Sequence, residues 1–222
     1  AAQDATSLRG ILATRGVPAG IFASVAVLSA ADVFTAYMPV LGEQRAIGPS
    51  VVGALLAIRA AASLASRVGI ATIVRVVGRR RLIAGSAAAA AAALVGIVFT
   101  HDVVLLGLLS AVVGAGLGFG QPLSMTLVVQ LVPDHARATA LAVRLTGNRL
   151  GQVAAPAAAG VVAGNAGAGA VFALLGGVLA VSAAAVGSNR GGAGDRPGPL
   201  ALDRLARGVA AAGRLHVRRA RR

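Results

Sequence analysis

Seven polar side chains stand among neighbours that are almost all apolar: Asp32, Arg59, Gln121, Arg144, Asn148, Arg149 and Gln152. A carboxylate in such surroundings can take up and release a proton, or it can pair with a guanidinium and fix packing. Arg59 can be that partner, or it can meet an anionic solute. Arg144, Asn148, Arg149 and Gln152 form a second set. On a helix Arg144 and Asn148 are i, i+4 neighbours, as are Asn148 and Gln152, while Arg149 and Gln152 are i, i+3. These spacings predict one polar stripe, facing a bundle interior or water, as the candidate lining of a cavity. Gln121, next to Pro122, adds a polar group to another apolar run. The remaining chemistry is thin. The chain has no Cys, and His101, His135 and His216 lie far apart. No His/Asp/Glu cluster has metal-ligand spacing and no nucleophile–base pair is present, so neither an enzyme, a cofactor nor a metal is expected.

Six long apolar runs carry these residues, near Val17–Leu41, Val51–Ile73, Leu82–Thr100, Val103–Leu123, Thr139–Ala163 and Ala168–Gly187. Each approaches the ~20 residues that cross ~30 Å of hydrocarbon as a helix. Hydrophobic residues make up 57% of the chain and charged residues 13%. Soluble proteins carry roughly 25% charged residues, so a soluble globule is excluded. The expected fold class is an all-α membrane protein with a six-helix transmembrane bundle. The first run is too long for the core of a signal peptide, and five more follow it. At ~1.5 Å per residue, Asp32 and Arg59 both fall roughly 12–14 Å from the same membrane face. That matched depth on sequential antiparallel helices predicts that they can pair. Arg149 also falls near the middle of its run, whereas Arg144 is shallower and can extend its head to the interface.

All 21 basic residues are Arg, and the net charge is +14. With the heavy use of Ala, Gly and Val, this points to a GC-rich bacterial coding sequence. Nucleic acid is not the expected partner, because the basic residues sit in short connections and a tail, with one Tyr and no Trp in the whole chain. Arg9 and Arg15 precede the first run, Arg75, Arg79, Arg80 and Arg81 separate the second and third, and Arg137 separates the fourth and fifth. Nine further arginines follow Asn189. The opposite connections carry Arg45 alone, offset by Glu43. Basic loops stay cytoplasmic, so both termini are expected inside a bacterial plasma (inner) membrane. The domain reading is a cytoplasmic lead-in at 1–16, a six-span domain at 17–188 and a basic cytoplasmic tail at 189–222. The tail opens with a Gly/Pro linker, Gly191–Pro199. Leu200–Arg222 can form a basic helix on the anionic leaflet or stay solvated.

Close packing is also written in the chain. Gly114, Gly116, Gly118 and Gly120 alternate, and Gly147/Gly151 and Gly160/Gly164 repeat the four-residue spacing. Helices in lipid associate where small residues let backbones approach. Pro122 and Pro156 are expected to interrupt or bend the fourth and fifth runs, either as packing detail or for a protein that rocks.

Several segments resemble a known family. Arg75-Val-Val-Gly78-Arg79-Arg80 resembles the cytoplasmic loop signature Gly-x-x-x-Asp-Arg-x-x-Gly-Arg-Arg/Lys of the major facilitator superfamily. Ile70 stands in place of its Gly and Val74 in place of its Asp. Pro133-Asp-His-Ala-Arg137-Ala-Thr-Ala140 resembles the Pro-x-x-x-Arg-Gly-x-Ala loop before the eleventh helix, with Ala138 for Gly. Leu145-Thr-Gly147-Asn148-Arg149-Leu150-Gly151, then Pro156 and Gly160, resembles that helix, and Tyr37-Met38-Pro39 resembles the end of the seventh. The resemblance covers about Leu8–Ser188. It implies one half of a twelve-helix fold, helices seven to twelve, with a site between two six-helix halves near mid-membrane. It further implies secondary active transport of a small-molecule solute by alternating access, with proton-coupled efflux a common form. Asp32 would then be the embedded acid of this half. The chain begins with Ala and is expected to be a fragment, whose partners are the lipid bilayer, a solute, a proton and either an N-terminal six-helix half or a second copy in a homodimer. The alternative is a six-span partner or assembly subunit with no transport path of its own.

Overall fold

A computed structural model describes residues 8–68 and 70–188. The expectations for the tail fall outside the described residues. Within them the chain is helical, without a strand. A short helix, α1 (Leu8–Ala13), leads into α2 (Val17–Gln44). Then come α3 (Pro49–Val68), α4 (Ile70–Val77), α5 (Arg79–Phe99) and α6 (Val103–Leu131). One 3-10 turn, Asp134–Ala136, precedes α7 (Arg137–Ser188).

Five helical stretches are long and apolar enough to cross a membrane, and the last is folded in two. As a straight rod the 52 residues of α7 would measure roughly 78 Å, far beyond a ~30 Å hydrocarbon core. Gly167 breaks it with φ 79 and ψ 170, a conformation that only glycine adopts without strain. Before the break, residues 137–166 run parallel to α2: Gly151 meets Val25, Gly160 meets Tyr37 and Gly167 meets Gln44. After it, residues 168–188 run antiparallel to α5: Gly169 meets Val98, Gly176 meets Val95, and Arg80 bonds the carbonyl of Val186. Six crossing segments result, and the protein is an all-α membrane bundle.

The second apolar run is helical on both sides of Gly69, as α3 to Val68 and as α4 from Ile70. One boundary differs from expectation. The fourth run does not end at Leu123, because α6 continues through Pro122 to Leu131. Likewise α7 passes through Pro156 without a break. In hydrocarbon a helix has no better partner for its backbone than itself, so losing one bond costs less than stopping.

The alternating glycines of α6 serve three neighbours. A methyl group on Gly114 would collide with the Arg59 carbonyl of α3, and one on Gly118 with Ser63 and Ser66 of the same helix. At Gly116 it would come within 2.6 Å of the Ser86 carbonyl of α5, and at Gly120 within 2.6 Å of Val27 of α2. This single run therefore seats α6 at the centre of the bundle. Gly147 and Gly151 pack on α2 as the spacing predicts. Gly160 and Gly164 do not form a seam: the first meets only the Tyr37 hydroxyl at 3.6 Å, and the second meets nothing within 4 Å. That part of α7 turns these positions outward. Between the crossings, Phe34 and Phe172 meet edge to face at 5.5 Å and anchor a core that includes Met38, Leu94, Ile97 and Leu179.

The ends of the bundle are held by arginines. Arg45, just past α2, donates to the carbonyls of Ile97 (2.9 Å), Val98 (2.8 Å) and Thr100 (2.6 Å), closing the C-terminal end of α5. Its partial burial pushes its pKa down, although a guanidinium stays charged. At the opposite end Arg80 donates to the carbonyls of Val186 (2.7 Å) and Gly187 (2.8 Å), closing the end of α7. Helix C-termini leave carbonyls without partners and carry partial negative charge, so each arginine answers both needs.

Candidate functional site

Four segments carry the polar residues: α2, α3, α6 and the first arm of α7. On α2, Val25, Ser29 and Asp32 follow i, i+4, i+7 spacing and share one face. Gly151 admits that face closely, since a methyl group there would come within 2.6 Å of Val25 and 2.9 Å of the Ser29 hydroxyl. The close approach brings Gln152 to Asp32. Gln152 Nε2 donates to Asp32 Oδ2 at 3.0 Å, and Arg149 Nη1 donates to Gln152 Oε1 at 2.8 Å. Asp32 is thus tied to Arg149 through one amide.

Arg59 feels the charge of Asp32 but does not contact it. No ion pair forms between them, and Arg59 Nη2 instead donates to Thr35 Oγ1 at 3.2 Å. Its guanidinium also lies 5.5 Å from the centre of the Phe34 ring, a cation–π contact. Matched depth did not suffice for contact, because Thr35, one turn from Asp32 on the same side of α2, takes the Arg59 hydrogen bond in its place. The sequence gives depth readily and rotation poorly on a helix that is apolar all round.

The predicted stripe on α7 also divides. Arg144 and Asn148 turn inward and are 5% and 6% exposed, while Arg149 is exposed and Gln152 lies at the edge. Arg144 does not extend to the interface. Its Nη2 donates to Gln121 Oε1 (2.9 Å), the Gln121 carbonyl (3.2 Å) and Ser124 Oγ (3.3 Å). Gln121 Nε2 donates to the Ser24 carbonyl at 3.2 Å, and Ser24 Oγ donates to Asn148 Oδ1 at 2.9 Å. The chain of contacts closes on α7 where it began, joining α2, α6 and α7. The network satisfies Arg144 through Nη2 and leaves its buried Nε without a partner. Ser24 and Ser124 are members that sequence reasoning passed over. Small hydroxyls within apolar runs give no signal until a charged neighbour is known.

A cleft of about 320 Å³ opens between α2, α3 and α6. Arg59, Ser63, Arg67 and Gln121 supply its polar wall, with Ala31 and Leu117 among its apolar residues. Arg67 was missed in the sequence. Its spacing, i+4 from Ser63 and i+8 from Arg59, was the available signal.

The loop residues gather at one end. Gly78 caps the start of α5 with φ 85, which favours glycine, and Arg80 closes α7 as described. Arg79 Nη1 donates to Gln130 Oε1 of α6. Arg137 forms an ion pair with Asp134 at 2.8 Å and donates to the Val129 carbonyl at 3.2 Å. Arg75 is exposed. Ile11 of the lead-in packs at this same end, against Val132, Ala136 and Ala140.

Among protein families, the model for the Major Facilitator Superfamily matches residues 20–210. A comparison with curated proteins found no match.

Proposed function

The chain belongs to the major facilitator superfamily, and from that premise we propose that it forms the second six-helix half of a transporter working by alternating access. Membrane transport of a solute is the family's activity. The half-domain arrangement, helices seven to twelve, is this proposal's own. One observation carries it. Arg149, near the middle of the first arm of α7, lies on the outside of the bundle beside the exposed Leu145, Leu150 and Val153. A guanidinium facing hydrocarbon at that depth costs at least ~2.5 kcal/mol. A second six-helix half, or a second copy of this one, with a water-filled path between, removes that cost. The partly exposed Asp32, Arg59 and Gln152 and the exposed Thr35 support the same face. The path would be walled by α2, α3, α6 and the first arm of α7, leaving α5 and the second arm behind.

Within this reading Asp32 is the coupling group. It takes up a proton from one side and releases it to the other, and Gln152 reports its charge to Arg149. Coupling of this kind suits proton-driven efflux from a bacterial cell with both termini in the cytoplasm, the orientation the arginine-rich end favours. The test uses the complete transporter in proteoliposomes. Solute-dependent proton movement is followed with an internal pH dye in the natural protein and in Asp32→Asn. Loss of coupled proton movement, with uncoupled solute exchange retained, is the expected result. Unchanged coupling removes Asp32 from the role.

A further inference from the structure

We infer that the cleft between α2, α3 and α6 is an anion-binding site, and that the transported solute is an organic anion such as a carboxylate, sulfonate or phosphate ester. The inference rests on the transporter reading and names its substrate class. The charges decide it. Arg59 and Arg67 both line the cleft, two turns apart on one face of α3, with Ser63 between them. No carboxylate lines it. Asp32 acts on Arg59 at a distance but makes no ion pair with it and is held by Gln152, so one carboxylate outside the lining faces two guanidiniums within it. Beyond the cleft, Arg144 and Arg149 add two more positive charges and are engaged only by neutral groups.

The donors also fit an anion. Arg59 spends one nitrogen on Thr35, and its buried Nε has no hydrogen-bond partner. Its head is held against Phe34 and its backbone is locked by Gly114, so the direction of the free edge is fixed. A planar guanidinium with donors to spare matches carboxylate, sulfonate or phosphate oxygens. The Ser63 hydroxyl supplies a further donor, and Ala31, Leu28 and Leu117 supply an apolar wall for the organic part. A cationic solute would meet two guanidiniums against the single charge of Asp32 outside the lining, and a solute without acceptors would leave the free edge of Arg59 unpaired.

The natural absence of cysteine in this half makes the test direct. Ser63→Cys is introduced into the complete transporter, with reactive cysteines of the other half replaced. The thiol is labelled with anionic methanethiosulfonate ethylsulfonate and with cationic methanethiosulfonate ethyltrimethylammonium. Each rate is divided by the rate with a free thiol in solution. A positive cleft concentrates the anionic reagent, so its normalised rate should exceed that of the cation by about tenfold or more. Adding Arg59→Gln and Arg67→Gln should bring the ratio back toward one. If the double change does not fold, the exposed Arg67→Gln alone should lower the ratio. A ratio of one or below, or a thiol that neither reagent reaches, overturns the site. Solute-coupled flux without a positive ratio defeats the anion assignment alone, whereas a positive ratio without flux keeps the anion site and defeats the transporter reading.

Discussion

Replacing Gln121 with Leu removes both contacts that its side chain makes with neighbouring helices. Oε1 loses the Arg144 donor at 2.9 Å, and Nε2 loses the Ser24 carbonyl at 3.2 Å. A hydrogen bond to a charged group contributes roughly 1.5–3 kcal/mol. A neutral one between membrane helices contributes about 0.6 kcal/mol, because the unfolded chain in lipid also finds partners. Arg144 keeps the Gln121 carbonyl and the Ser124 hydroxyl, so it is not stranded and the charged term falls at its lower end. The expected loss is therefore about 2 kcal/mol. Leu is similar in volume, so little of this comes from a cavity. Arg144→Leu removes the charge itself. In the double variant no unsatisfied guanidinium remains, and the cost should fall short of the sum by about 1.5 kcal/mol. The assay is reversible unfolding of the complete protein in mixed micelles of increasing dodecyl sulfate content, followed by circular dichroism. Additivity within about 0.5 kcal/mol would refute the view that Gln121 and Arg144 act as one buried unit.

Gly114→Ala places a methyl group against the Arg59 carbonyl and should cost about 1–3 kcal/mol in the same unfolding assay, through displacement of α3. Gly164→Ala, which meets open space, should be neutral or stabilising by up to about 1 kcal/mol, the gain in helix propensity. Equal effects at the two sites would contradict the packing described. Arg45→Leu leaves the carbonyls of Ile97, Val98 and Thr100 without their donor and should destabilise by roughly 1–3 kcal/mol. A stability unchanged by Arg45→Leu would show that water closes the end of α5 as well as Arg45 does.

The six crossings were legible because lipid imposes a length and a hydropathy on every one of them. The arginines of the connections were legible too, and Arg79, Arg80 and Arg137 gather at one end of the bundle. Gly114, Gly116, Gly118 and Gly120 signalled close packing, but not that they divide among three partners. Rotation about each helix axis was the hidden quantity. In soluble proteins a polar face marks the outside, whereas α2 is apolar toward core and lipid alike, so nothing told Asp32 to face Gln152 rather than Arg59. The same blindness merged Arg144, Asn148, Arg149 and Gln152 into one stripe, although i, i+1 neighbours such as Asn148 and Arg149 point about 100° apart. Gly160 and Gly164 show the reverse error, a packing spacing on a face that meets little. Arg67 escaped because apolar residues continue on both sides of it.

The central claim is that the face bearing Arg149 and Asp32 borders a water path rather than lipid. Val153 lies one turn from Arg149 on that face and is 75% exposed, while Val181, at 61%, lies on the second arm of α7, turned to lipid in this account. Single cysteines at these two positions in the complete transporter, probed from each side with a membrane-impermeant thiol reagent, make the most direct measurement. The account predicts that Val153→Cys reacts from both sides of the membrane, whereas Val181→Cys reacts from neither and is quenched by nitroxide lipids when labelled in detergent. Nitroxide quenching at Val153→Cys with no aqueous reaction from either side would contradict it.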